Sequence, residues 1–528
     1  MKKILITGAL NPIALERLAQ EEDLQVDYKP DLPYPEVIKI IADYHCIISR
    51  SETNIDRELI DAGKNLSVIA RAAVGIGNID VDYATDKGIL VFNTPGKNTN
   101  SAAELSVMLM LSVMRKLTKA HTSMAANLWN RHEFTGTELL DKTVGLIGLG
   151  NVGHRVARFL HAFDCKVLTY DPYVTQRYCE EHRTEQVDFE TLIRESDVVS
   201  IHTPKTKETT NMIGQEEIAK MKDGVFIINA ARGGLINEQA LYDGLKSGKI
   251  AGLGVDTWDI EPVTTHPLKD FDNVVMTPHI GASTKEAQVR IAENVSEETV
   301  KALRGDIVSN PVNLPDVRSF SDSIASEYSV LAGKLGTFSR QYLDQDFYPK
   351  RIELLYRGNL KVEESSLIKL SFLKELLKDT VDTAVTYVNV MKIAECRGLV
   401  IEENDDKDFS AYESAIRIRI IGEHDRFSIG GTVFGANLRL SYINGYIFEI
   451  NPSGTLLTIE NDDTPGVIGY VGTSLANNGI NINRFELCRA KRGGSAMALV
   501  LIDDEISEEQ LRELAEHSCI KKVRKISL

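Results

Sequence analysis

The sequence predicts an α/β protein of several domains: two lobes built on parallel sheets, then an α+β module, then a small βαββαβ unit. Three observations lead there. Through about residue 300 short β-branched runs alternate with helical stretches, the pattern of βαβ units. A glycine-rich turn, Gly148 to Gly153, joins one of those runs to a helix. At 528 residues the chain also exceeds what one hydrophobic core fills, so it must divide.

The first lobe takes its strands from Lys3–Thr7, Cys46–Ser49, Val68–Arg71 and Ile89–Asn93. The second takes Thr143–Gly148, Lys166–Tyr170, Val198–His202, Val225–Asn229, Leu253–Asp256 and Val274–Met276. Long helices over Ser101–Lys119 and Lys285–Leu303 carry the chain between them. This assigns 1–98 plus 286–316 to the first lobe and 99–285 to the second. Beyond Asn313, helices near Ser323–Tyr342, Ser365–Lys378 and Val385–Arg397 precede strands from Tyr412 to Glu449. Those strands are expected to turn through Gly430-Gly431 and Asn444-Gly445, giving an α+β module over 317–451. In 452–528, strand Thr455–Glu460, helix Gly466–Asn478, strands Asn481–Leu487 and Ala496–Ile502, helix Ser507–His517 and strand Lys522–Ile526 read as a ferredoxin-like unit.

Hydrophobic residues at 43% and charged residues at 26% are ordinary for a globular chain. The most apolar run, Leu105 to Met114, is half of what a membrane span needs, so no membrane partner is expected. Met1–Leu10 passes straight into a strand without an export signal, and the six cysteines form no C-x-x-C pair. A cytoplasmic protein with free thiols and no metal is the expectation. The net charge of −16 disfavours nucleic acid as a partner, and it requires a local arginine cluster for any anionic substrate.

Gly148, Gly150 and Gly153 follow an apolar strand and open a helix, and Asp171 ends the next strand. That context marks a Rossmann-like dinucleotide site: Gly148 for the tight turn, Gly150 for close approach of the pyrophosphate, Gly153 for helix packing. Asp171 is placed to accept bonds from ribose hydroxyls and to repel a 2′-phosphate, which favours NAD and leaves NADP open. Three further residues each follow a different strand of the same sheet: Arg232, Glu261 and His279. Histidine has the basicity to take a hydroxyl proton near neutrality, a carboxylate orients it, and a guanidinium clasps a substrate carboxylate. Hydride transfer between a hydroxy acid and NAD would use this set.

The stretches Gly148–Gly153 with Asp171, Asn229–Gly234, Asp256–Pro262 and Thr277–Thr284 resemble the four motifs of the D-isomer-specific 2-hydroxyacid dehydrogenase family, over roughly residues 1–315. The resemblance implies an active site between the two lobes, with Arg232, Glu261 and His279 catalytic. It extends the cofactor set to Asn151, Val152, Thr203, Pro204 and Ala230, with Asp256 near the nicotinamide carboxamide. Trp258 stands where phenylalanine is commoner, and Asn237 where aspartate is usual; neither is expected to bear on the chemistry.

Segments Ile48–Thr53, Ala70–Asp80 and Asn98–Glu104 resemble the substrate lobe of the phosphoglycerate dehydrogenase branch. This implies Arg50 and Arg71 for a substrate phosphate, Gly75 and Ile76 for its carboxylate, a contact from Asn98, and Arg131 reaching a neighbouring subunit. The module after residue 317 resembles that branch's intervening domain. The last unit resembles an ACT domain, in which Asn461, Asp463 and Asn481 would bind an amino acid, L-serine, across a pair of domains. The implied reaction is NAD-dependent oxidation of 3-phospho-D-glycerate to 3-phosphooxypyruvate, the first step of phosphorylated serine biosynthesis, in a homodimer or homotetramer. A glyoxylate or hydroxypyruvate reductase, and a non-enzymatic NAD-sensing protein, remain open at this stage.

Overall fold

The computed structural model describes every residue except 307, 315–323, 345, 361, 363–364, 382, 407–411, 436 and 490. The expected boundary at 316–317 lies outside the described residues. The first sheet is parallel, in the order Leu24–Tyr28, Lys2–Ile6, Cys46–Ser49, Val68–Arg71, Leu90–Asn93. Cys46–Ser49 and Val68–Arg71 are buried at every position, as strands covered by helices on both faces must be. One cover is the helix Lys285–Arg304, whose Ile291, Ala292, Val295 and Leu303 share a core with Ile4, Ile6 and Ile48. The Thr284 side chain caps its N-terminus by accepting from the Ala287 N–H, and Gly305, with φ 84°, ends it.

The second sheet has seven parallel strands, in the order Val274–Met276, Ile250–Val255, Val225–Asn229, Val198–Ile201, Thr143–Ile147, Lys166–Tyr170, Glu185–Gln186. The order reverses around Thr143–Ile147, whose neighbours follow it in sequence on both sides. Ligands bind open sheets of this kind at such a reversal, beyond the strand ends. The helix expected over Ser101–Lys119 is two: Thr99–Met114 packs on this sheet, Lys116 at φ 50° breaks the helical path, and Leu117–Ala125 follows with no buried residue.

The third sheet has six strands: Val400–Asp405, Arg351–Arg357, Ala415–Ile421, Arg426–Phe434, Asn437–Ile443, Tyr446–Ile450. Its first pair is parallel and the others antiparallel. Gly430-Gly431, expected as a turn, lies inside a strand at a shift of register. A Cβ at Gly431 would stand 2.5 Å from the Arg439 carbonyl oxygen and 3.0 Å from Leu331 of the covering helix Ile324–Tyr342, so the glycines admit a bulge under a helix. Asn444 and Gly445 do turn, at φ 46° and 96°.

The last sheet is antiparallel, in the order Ile482–Arg489, Ser495–Ile502, Thr455–Asp462, Ile520–Ser527. Helices Val467–Asn477 and Glu508–Ala515 cover one face. Leu456, Met497, Leu499 and Ile526 on the other face join the core of the preceding module. No helix among the described residues is long and apolar enough to cross a membrane.

Candidate active site

The glycine turn is sterically required. Gly148 has φ 97°, and a Cβ there would meet the His202 carbonyl oxygen at 2.8 Å. At Gly153 it would stand 2.1 Å from the Gly148 carbonyl oxygen, so only glycine lets the helix Gly153–His161 begin this close to the turn. Gly150 has no atom within 4 Å of that position, and its backbone faces the open space a pyrophosphate needs. Val152 is the N-cap of the helix, and the Asn151 amide faces Gly96 of the first lobe. Asp171 accepts from the Leu149 N–H (2.8 Å) through Oδ2 and from the Tyr173 N–H (2.9 Å) through Oδ1, and a carboxylate so engaged keeps lone pairs for hydroxyl donors. Beside the turn, the buried Thr203 hydroxyl has no partner among the described residues, and Pro204 lines the adjoining cleft. Ala230 packs against the core of the sheet. The open turn, the orphaned hydroxyl and the carboxylate fit a dinucleotide with free ribose hydroxyls.

The cleft, about 1380 Å³, is lined by both lobes and the helix joining them. On its second-lobe side His279 Nδ1 lies 2.8 Å from Glu261 Oε2. A carboxylate only accepts, so Nδ1 carries a proton, and in the neutral ring Nε2 is the nitrogen with the free lone pair. His279 sits at φ 53°, a left-handed conformation costly for a side chain of this size. Asp256 stabilises it: Oδ1 accepts from the Thr277 hydroxyl (2.6 Å) and the Ile280 N–H (2.8 Å), and Oδ2 from the Gly281 N–H (2.9 Å). Asp256 is completely buried, and its oxygens hold the His279 loop where a nicotinamide contact was expected. Arg232 follows the next strand, its carbonyl held by Asn229 Nδ2 at 2.9 Å. Burial lowers its pKa and the Glu261 carboxylate opposes that. Asn237 caps the helix Glu238–Ser247 by accepting from the Ala240 N–H, so asparagine serves there as aspartate would.

Across the cleft, Arg232 Nη2 lies 3.4 Å from where a Gly75 Cβ would stand, which brings the two lobes' candidate residues together. Arg71 is buried, its Nε donates to the Gly75 carbonyl (2.8 Å), and its Nη1 has no partner among the described residues. Desolvation lowers its pKa to about 10, Glu52 opposes the shift, and the Arg50 and Arg232 cations add to it. Arg50 Nη1 is held by the Ala9 carbonyl (2.9 Å) and by Gln288 Oε1 (3.1 Å) on the helix that closes the first lobe. Gly75, Ile76 and Asn98 complete this wall. Glu52, Lys205 and Trp258 also line the cleft; sequence reasoning gave none of them a site role, although each lies within two positions of a residue that had one. Two expected sites lie apart from this cleft: Arg131 opens a short exposed helix beyond Trp129, and the C-terminal residues belong to the last sheet.

In that sheet Asn461 is buried, with its Oδ1 unpartnered among the described residues. Asp463 Oδ2 accepts from the Gly493 N–H (2.8 Å) and from Arg489 (3.2 Å), and Asn481 Nδ2 donates to Asp503 (2.7 Å). The register puts Asn461 opposite Ala496 but Ile482 opposite Ile502, six residues further along the shared strand. Asn461 and Asn481 thus stand at opposite ends of the sheet, about 20 Å apart at the usual strand rise.

Comparison with known proteins agrees with this architecture. Residues 107–281 match the D-isomer specific 2-hydroxyacid dehydrogenase NAD binding domain, and 325–444 match the D-3-phosphoglycerate dehydrogenase intervening domain. The D-3-phosphoglycerate dehydrogenase of Archaeoglobus fulgidus is 37% identical over 97% of each chain, and that of Methanocaldococcus jannaschii 38% identical over the full length of both. Among solved structures, Aquifex aeolicus D-lactate dehydrogenase complexed with NAD and lactic acid superposes with a TM-score of 0.53 at 31% identity, covering 60% of this chain and all of that one. The chain belongs to the D-3-phosphoglycerate dehydrogenases, NAD-dependent enzymes of the D-isomer-specific 2-hydroxyacid dehydrogenase family.

Proposed function

We propose that the chain oxidises 3-phospho-D-glycerate to 3-phosphooxypyruvate in the cleft between its first two lobes. The relatives' names supply the substrate, and one observation carries it to this chain: a buried arginine, Arg71, with an unpartnered Nη1 in a cleft shared with Arg50 and Arg232. Three guanidinium groups there face two carboxylates, Glu52 and Glu261, so the cleft is cationic in a chain of net charge −16. Arg50 and Arg71 take the phosphate, Gly75 and Ile76 offer backbone N–H groups to the carboxylate, and Asn98 adds a contact. Arg232 pairs with the carboxylate and polarises the C2 oxygen.

NAD supplies the hydride acceptor when bound. His279 Nε2 removes the hydroxyl proton as the C2 hydride departs, and Glu261 stabilises the imidazolium that forms. Burial of Arg71 and Arg232 strengthens both ion pairs by excluding water. The assay is NADH absorbance with 3-phosphoglycerate, D-glycerate and D-lactate. Turnover confined to the phosphorylated acid supports the assignment, turnover of the other acids alone overturns the roles of Arg50 and Arg71, and silence on all three favours an NAD sensor.

The same proposal includes a homo-oligomer, feedback by L-serine at the last sheet, and a cytoplasmic setting suited to free thiols. Trp129 is 76% exposed, with Met108, Leu117, Met124, Leu128 and Leu140 exposed near it in the chain. An apolar surface of this kind is suited to covering by a second copy, and Arg131 extends from the same segment.

A further inference from the structure

Three segments carry the proposed catalytic side chains, and one residue outside that set touches all three, two through hydrogen bonds and one through close backbone approach. The backbone N–H of Trp258 donates to Glu261 Oε1 at 3.0 Å. Its indole Nε1–H donates to the Thr277 carbonyl at 3.1 Å, two residues before His279. Its own carbonyl lies against Gly233, where a Cβ would stand 1.9 Å from the oxygen, so the loop carrying Arg232 can only pass Trp258 at glycine distance.

The indole is itself fixed. The His266 ring lies 4.6 Å away between centroids, and His266 is held in turn by the Leu268 N–H, which donates to Nδ1 at 3.2 Å. A phenylalanine at 258 would fill much of the same space but has no N–H, leaving the Thr277 carbonyl without this donor.

We propose that Trp258 is a positioning residue for hydride transfer: its indole N–H and its backbone lock the Arg232, Glu261 and His279 segments in one register. The inference rests on the assignment of Glu261 and His279 to proton transfer. Small errors in such an arrangement cost rate, because the reacting groups must meet within a few tenths of an ångström.

The experiment is single-turnover NADH formation from 3-phosphoglycerate by the full-length protein, comparing wild type, Trp258→Phe and His279→Asn. A second replacement at 258, by the benzothienyl analogue of tryptophan, keeps the indole shape and removes only the N–H. With both replacements at 258 the rate constant is expected to fall about tenfold, the worth of one well-placed hydrogen bond, while the amplitude and the affinity for NADH stay at the wild-type level. The amplitude counts competent sites and the rate constant reports their geometry. A fall in amplitude alone, or an unchanged rate constant with the benzothienyl side chain, overturns the inference. Turnover retained by His279→Asn would instead overturn the catalytic assignment beneath it.

Discussion

The cleft between the first two lobes and the polar residues of the last sheet differ in completeness. In the cleft, groups from two separate sheets converge within one chain, and some are left unsatisfied: Arg71 Nη1 and the Thr203 hydroxyl have no partner among the described residues. In the last sheet, Asp463 and Asn481 are engaged by Arg489, Gly493 and Asp503, and Asn461 and Asn481 lie at opposite ends. A buried cation without a partner is costly to maintain unless a ligand supplies the counter-charge. The cleft is therefore built to be filled by small molecules, whereas the last sheet keeps one buried unpartnered oxygen, Asn461 Oδ1, among the described residues.

The largest expected effect breaks the cleft's chemistry and leaves its binding intact. His279→Asn removes the base and should lower kcat by roughly 10²- to 10⁴-fold with little change in NADH affinity, measured by steady-state assay and NADH fluorescence titration. Wild-type turnover in this variant would assign the base elsewhere. Next in size is Arg71→Met, which removes the guanidinium with its unpartnered Nη1. It should lower kcat/KM for 3-phosphoglycerate by about 100-fold and leave the rate with D-glycerate nearly unchanged. Equal losses on both acids would mean that Arg71 supports the fold rather than the phosphate.

The legibility of these regions follows from where their constraints act. Gly148, Gly150, Gly153 and Asp171 were readable because their requirements are local, a turn angle and two close approaches. Arg232, Glu261 and His279 were readable because each follows a strand of one sheet. The strand Leu24–Tyr28 was missed because it is an edge strand carrying Gln25 and Asp27. Gly430-Gly431 was misread because the same residues serve a turn and a bulge, and only the helix above decides between them. Trp258 was noticed as a departure but given no role, since its partner is a backbone carbonyl nineteen residues away that leaves no mark in the sequence. The separation of Asn461 and Asn481 is likewise a matter of register, which motifs do not record.

A smaller effect distinguishes the stability of the two regions. His202, beneath the fingerprint turn, lies 3.0 Å from the Ser200 hydroxyl through Nε2, and burial lowers its pKa to about 4 from the ordinary 6.5. Because the folded value is depressed, the stability this group contributes is complete above pH 6.5. It is lost as pH falls toward about 4, since the unfolded chain takes up a proton that the folded chain resists. Allowing for the ring's residual exposure, the loss is about 2 kcal/mol. Denaturant unfolding at both ends of this window should show His202→Asn losing less stability on acidification than wild type by that amount. An identical pH dependence in the two proteins would show that the ring is protonated in the fold.

The smallest expected effect tests whether the last sheet needs a second copy. Asn461→Ala and Asn481→Ala should each leave kcat intact and raise the L-serine concentration for half-inhibition at least tenfold, since coupling between sites is typically worth 1–3 kcal/mol. In the proposed two-fold pair Asn461 of one subunit would meet Asn481 of the other, and the reverse. A mixed dimer of the two variants then holds one site with both residues replaced and one site intact. Co-expressed and purified with different affinity tags, it should recover wild-type serine affinity at half the wild-type stoichiometry by calorimetry, although each variant alone binds only at the raised concentration. A site contained within one chain would recover nothing, because every chain in the mixture carries a lesion. No recovery would therefore count against a shared site, even if each single variant had lost its response to serine.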